Sequence, residues 1–135
     1  MSPEDARRRF AAARVARLAT IGEDGAPHLV PIVFAADGDT VFSAVDAKPK
    51  RTRALRRLEN VRRDPRVTLL ADHYDEDWSA LWWVRADGRA RVVEAGDAAG
   101  GLARLAERYA PYREQPPAGP VLVITVDRWT GWSAS

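Results

Sequence analysis

The chain has 135 residues, enough for one hydrophobic core and too few for two. Hydrophobic residues make up 46% and charged residues 30%, a globular balance that excludes a disordered chain. A formal net charge of +2 argues against a general nucleic-acid binder, and the lack of cysteine removes disulfides, thiolate metal sites and cysteine nucleophiles. No apolar run approaches the roughly 20 residues of a bilayer span. Met1-Ser2-Pro3-Glu4-Asp5 is acidic and then arginine-rich, where a signal peptide needs an apolar stretch. The expectation is one domain over residues 1–135, cytoplasmic, with neither a membrane nor a nucleic-acid partner.

Ser2-Pro3-Glu4-Asp5 predicts a helix start: a capping hydroxyl, a proline that needs no N–H there, and two acids at the positive dipole end. The helix should run to about Ala13 and bury Phe10. Val15 to Ile21 alternates imperfectly as a strand, and Gly22-Glu23-Asp24-Gly25 is a hairpin turn. His28 to Ala35 reads as a second, apolar strand interrupted by Pro31, which must face an edge, a bulge or a ligand. Asp37-Gly38-Asp39 turns the chain into a third strand, Thr40 to Val45.

Ala54, Leu55, Leu58 and Val61 fall on one face of a helix over Arg51 to Arg62, stopped by Asp64-Pro65. Arg66 to Asp72 is a fourth strand, followed by an acidic loop from His73 to Asp77. Trp82 to Glu94 is extended, with Asp87-Gly88 as a turn or bulge. A helix capped by Asp97 should run to Tyr109, Pro111 to Pro120 should be an irregular connector, and Val121 to Trp132 a last strand. A meander of antiparallel strands with helices inserted between them predicts an α+β barrel.

Lys48-Pro49-Lys50-Arg51-Thr52-Arg53 places four cations where a helix begins. Free amides, dipole and guanidinium forks make an anion site there, and the cations oppose the dipole unless an anion compensates. A solvated basic helix face is the alternative, since Arg56, Arg57, Arg62 and Arg63 continue the charge. Five tryptophans are many for this length. Trp82 and Trp83 should point to opposite faces of a strand, one to the core and one to an interface or pocket. His28, His73 and the acids Asp72, Asp75, Glu76 and Asp77 do not form a metal-ligand pattern, and no metal is expected. Hydrolase, P-loop and dinucleotide-binding motifs are missing, and no nucleophile with a base is visible.

Arg17-Leu18-Ala19-Thr20-Ile21 and Asp24-Gly25-Ala26-Pro27-His28, with the strand to Phe34, resemble the opening of the pyridoxamine-phosphate-oxidase-like split-barrel flavin family. Lys50-Arg51-Thr52-Arg53-Ala54-Leu55, Arg63-Asp64-Pro65-Arg66-Val67, Asp77-Trp78-Ser79 and Gly88-x-Ala90 are similar to its later motifs, over roughly residues 10 to 95. The segment Asp72 to Trp78 resembles the actinobacterial branch that uses the deazaflavin coenzyme F-420.

The resemblance implies an FMN-binding-like split β-barrel, α+β in class, working as a homodimer with cofactor sites at the interface. It implies that Lys50, Arg51, Thr52 and Arg53 hold the cofactor phosphate. Backbone and side chains of Val30, Pro31, Ile32 and Val33 would line the ring with Ser43, while Asp72 and Trp78 approach from the next segment. No residue is expected to act as a dedicated acid or base, because the cofactor carries the hydride. The activity implied is F-420-dependent reduction of a small unsaturated or quinone-like molecule. The alternatives are an FMN-dependent enzyme on the same fold or a non-catalytic carrier of a flavin-like ligand.

Overall fold

The computed structural model describes residues 1–45 and 51–135, with residues 51–55 described by backbone alone. Helix α1 (Pro3–Ala12) is capped by Ser2, whose hydroxyl accepts the Asp5 amide at 3.1 Å. Strands β1 (Ala16–Ile21) and β2 (Pro27–Ile32) form a hairpin turned at Gly25, whose φ of +82° suits a residue without a Cβ. β3 (Ala35–Asp37) and β4 (Thr40–Ala44) form a second, shorter hairpin. There follow α2 (Arg51–Arg63), β5 (Arg66–His73), a single 3-10 turn (Trp78–Ala80) and β6 (Trp82–Val93). Helices α3 (Ala99–Arg108) and α4 (Ala110–Glu114) lead into β7 (Val121–Ser133).

Among the described residues the strands form one seven-stranded sheet in the order β2-β1-β5-β6-β7-β4-β3. Every pairing in it is antiparallel. Its edges, β2 and β3, are consecutive in the chain and separated only by Val33 and Phe34. At roughly 3.8 Å per residue step, Ile32 and Ala35 lie within about 11 Å. The sheet therefore curls until its edges nearly meet, leaving a barrel that is open along one seam.

Alternation along the strands fills the barrel with Ala16, Leu18, Leu69, Ala71, Val84, Ala86, Leu122 and Ile124. Leu58 and Val61 of α2 and Phe10 of α1 join the same core. The Phe10 ring packs 4.6 Å from that of Phe34 and 5.4 Å from that of Trp129, tying α1 to the seam and to β7. Each fully buried Leu, Ile, Val or Phe among these contributes about 1.5–3 kcal/mol. On the far side of β4, α3 covers Phe42, and Gly101 lies flush against that ring, where a Cβ would not fit.

The strand expected over His28 to Ala35 is two strands, because the chain crosses the seam at Val33–Phe34, and a continuous apolar run conceals that crossing. The third helix starts at Ala99, and Asp97 is not its cap: Asp97 closes a 3-10 turn, and Ala98 in the cap position makes no side-chain bond. The expected connector contains α4, which Pro111 tolerates in its first turn, where no amide is required. At Asp87-Gly88 the β6–β7 register shifts, the extra residue being Asp127 of β7, and Trp82 and Trp83 do face opposite sides, Trp82 packing against the core.

Candidate ligand site

The edge strand β2 separates two surfaces of opposite chemistry. Its outward residues are Leu29, 65% exposed, and Pro31. With Arg17 and Ala19 of β1, Leu70 of β5 and Trp83 of β6, Leu29 lines a largely apolar slot of about 490 Å³. The Arg85 guanidinium lies 6.0 Å over the Trp83 ring and bonds Asp87 at 3.2 Å. Thr68 donates to the same carboxylate at 2.9 Å, so Thr68, Arg85 and Asp87 are already partnered with one another.

Tyr74 also lines the slot, on a loop that leaves Tyr74 67% and Trp78 75% exposed. The acids expected there stiffen that loop. Asp75 bonds His73 at 2.8 Å and accepts the Asp77 amide at 2.7 Å. Asp77 accepts the Ser79 hydroxyl and amide at 2.6 and 3.0 Å, and these bonds hold its carboxyl below the usual range.

The inward side of β2 faces α2. A cleft of about 540 Å³ runs between the hairpin turn and this helix, lined by His28, Arg56, Glu59, Asn60 and Arg63. Its floor is satisfied: Asn60 donates to Thr20 Oγ1 at 3.0 Å, and Arg63 donates to Asn60 Oδ1 at 2.8 Å. Glu23, Asp24 and Glu59 offset the arginines along its rim. The uncommitted polarity is at His28 Nδ1 and, on α2, at Arg57 Nε, both buried without hydrogen-bond partners. Burial, then the charges of Arg56 and Arg57, lower the His28 pKa, so its ring is neutral at pH 7. Burial also lowers the pKa of Arg57. One to two turns earlier α2 begins, with no acid in its first turn.

The proposed ring-lining residues divide. Pro31 faces outward on the same side as Leu29, while Val30 packs against the core and Ile32 is 5% exposed within it. Val33 lies in the seam, where its carbonyl accepts the buried Ser43 hydroxyl at 3.0 Å. The side chains of Ile32 and Ser43 are thus committed to the interior. Asp72 lines the outer slot and Trp78 is exposed nearby in sequence. Arg51, Thr52 and Arg53 lie in the first turn of α2, their side chains outside the description, and Lys50 lies outside the described residues. Leu29 and Leu70 are slot residues that the sequence reading passed over, and Trp83 is the member of the tryptophan pair that faces a pocket. The signal for Leu29 was a period of two within a strand read as continuously apolar.

An antiparallel sheet curled to a seam, with helices inserted between its strands, is a split β-barrel of the α+β class. The family described as pyridoxamine 5'-phosphate oxidase matches residues 2–133, and the chain belongs to that family. Among curated proteins, none matches. A conserved hypothetical protein from Mycobacterium tuberculosis shares the fold with TM-score 0.77 and 27% identity, covering 99% of this chain and 86% of its own. An FAD-binding protein from Mesorhizobium loti aligns with TM-score 0.72 and 20% identity over 97% of this chain and 94% of its own. HutZ, a heme storage protein from Vibrio cholerae, aligns with TM-score 0.72 and 18% identity over 98% and 95%. No described helix is long and apolar enough to cross a membrane.

Proposed function

We propose that the protein binds a flavin or deazaflavin cofactor at the β2 edge and transfers a hydride from reduced coenzyme F-420 to a small unsaturated or quinone-like substrate. The observation that carries this is the pairing, across one edge strand, of an apolar slot with a basic helix face beside which His28 Nδ1 and Arg57 Nε have no hydrogen-bond partner. A flat ring fits the slot, and an anionic tail fits His28 Nδ1, Arg57 Nε and the start of α2. The family and its FAD-binding relative support a flavin-type ligand.

Lys50, Arg51, Thr52, Arg53 and the free amides of α2 would hold the phosphate. Leu29, Pro31, Leu70 and Trp83 would exclude water and keep a substrate flat against the ring, within the roughly 3–3.5 Å that transfer requires. When bound, the cofactor supplies the hydride. A second copy of the chain, seated on the outer face, would close the slot.

The test is titration of the protein with F-420 and, separately, FMN, following tryptophan quenching and cofactor fluorescence. F-420 should bind at micromolar concentration or tighter and in preference to FMN. Arg51→Ala and Arg53→Ala should each weaken binding about tenfold, the scale of one charge-assisted hydrogen bond. Preference for FMN moves the activity to that cofactor, and tight binding without turnover leaves a carrier. Binding of neither overturns the proposal.

A further inference from the structure

The end of α3 reaches back to the seam. Arg108 donates to the carbonyls of Ala13 and Phe34 at 2.6 and 2.8 Å. Its guanidinium lies 5.1 Å over the Phe34 ring and 5.3 Å over that of Tyr109. The Tyr109 hydroxyl lies 2.9 Å from the Phe34 carbonyl and 3.0 Å from that of Arg14, and accepts the Phe34 amide at 3.3 Å. Arg14 completes the circuit, donating to the Arg108 carbonyl at 2.8 Å and stacking 4.9 Å over Tyr109. Three chain segments, 13–14, 33–34 and 108–109, therefore meet at one clasp, and side chains from elsewhere hold both carbonyls of the seam link.

Arg108 here serves as a planar fork on carbonyl oxygens, a use in which geometry matters more than charge. Its targets say what it fixes. Among the described residues β2 is paired on one side only, to β1, so the far end of β2 depends on what holds Val33 and Phe34. That end carries Pro31, on the slot side of the strand. We propose that Arg108 and Tyr109 are positioning residues that set where the end of β2 lies, and thereby the fit of the slot to a planar ligand. The inference rests on the reading of the slot as a flavin-type cofactor site.

Tyr109→Phe removes only the hydroxyl, and Arg108→Lys keeps the charge but loses the fork. Arg104→Ala, which removes an exposed ion pair to Asp37 from the same helix, serves as the control. Amide exchange without cofactor should quicken about tenfold or more across residues 29–34 in both clasp variants and stay unchanged in the control. In the same proteins, affinity for F-420 or FMN should fall about tenfold, with a shift in the visible band of the bound cofactor. Unchanged exchange at 29–34 overturns the inference. So does faster exchange with unchanged affinity and spectrum, which would leave the clasp as structural support alone. Wild-type protein that binds neither cofactor overturns the cofactor reading instead, while quickened exchange would still show that the clasp holds the seam.

Discussion

Asp64, between α2 and β5, accepts the Arg66 amide at 3.1 Å and the Arg66 guanidinium at 3.0 and 2.7 Å. These bonds lower its pKa from 3.8 to about 2. A carboxylate depressed on folding stabilises the native state above its unfolded value, and that contribution is lost as the pH falls from there through about 2. A carboxyl-carbon NMR titration should place the Asp64 midpoint near 2. Arg66→Ala should return it toward the ordinary carboxylate range, with little change in thermal midpoint because the pair is exposed. His28 has the same sign, although burial rather than a partner lowers its pKa. Its lowered pKa means that acid favours the unfolded chain, which takes up the imidazole proton more readily, as the pH drops below the usual histidine value. An anion bound beside it would draw that proton back.

At the scale of elements, the bulge between β6 and β7 is built on the absence of one side chain. A Cβ at Gly88 would collide with the Thr125 carbonyl, where β6 and β7 shift register. Gly88→Ala should cost about 1–3 kcal/mol in a denaturant titration. Gly96→Ala, with open space around the added methyl, should cost far less. The bulge was legible as a Gly in a long extended run, and α1 was legible because Ser2, Pro3 and the first-turn acids act locally. The break in β2 was not, because it reflects where the two sheet edges meet, a relation between residues far apart in the sequence. Part of the site was hidden in the same way. Pro31, Asp72 and Trp78 are outward, but Ile32 and Ser43 face inward, a distinction visible only once the strand's period of two is set against the core. The clasp left no motif, because Arg108 and Tyr109 recognise backbone rather than side chains.

Across the whole molecule, Leu29, Leu70, Tyr74, Trp78 and Trp132 are exposed, and three of them, Leu29, Leu70 and Tyr74, line one slot, the kind of apolar patch that marks an interaction surface. Sedimentation equilibrium should find a dimer, and Leu70→Arg, which places a charge in that patch, should weaken it at least tenfold while circular dichroism stays unchanged. A monomeric wild-type protein would count against a shared site.

The strand order also bears on synthesis. The β3–β4 hairpin joins the rest of the sheet through β7, with Thr40 opposite Thr125 and Ala44 opposite Val121. A ribosome adding about 5–20 residues per second leaves Val41 and Phe42 without their partners for several seconds after they emerge. β1 likewise waits for β5, separated from it by the second hairpin and α2. The nascent chain thus carries loose hairpins with bare edges until its last strand arrives, and the barrel closes late, around a strand that enters between β6 and β4. Its exposure to aggregation is set during that wait rather than by the finished fold.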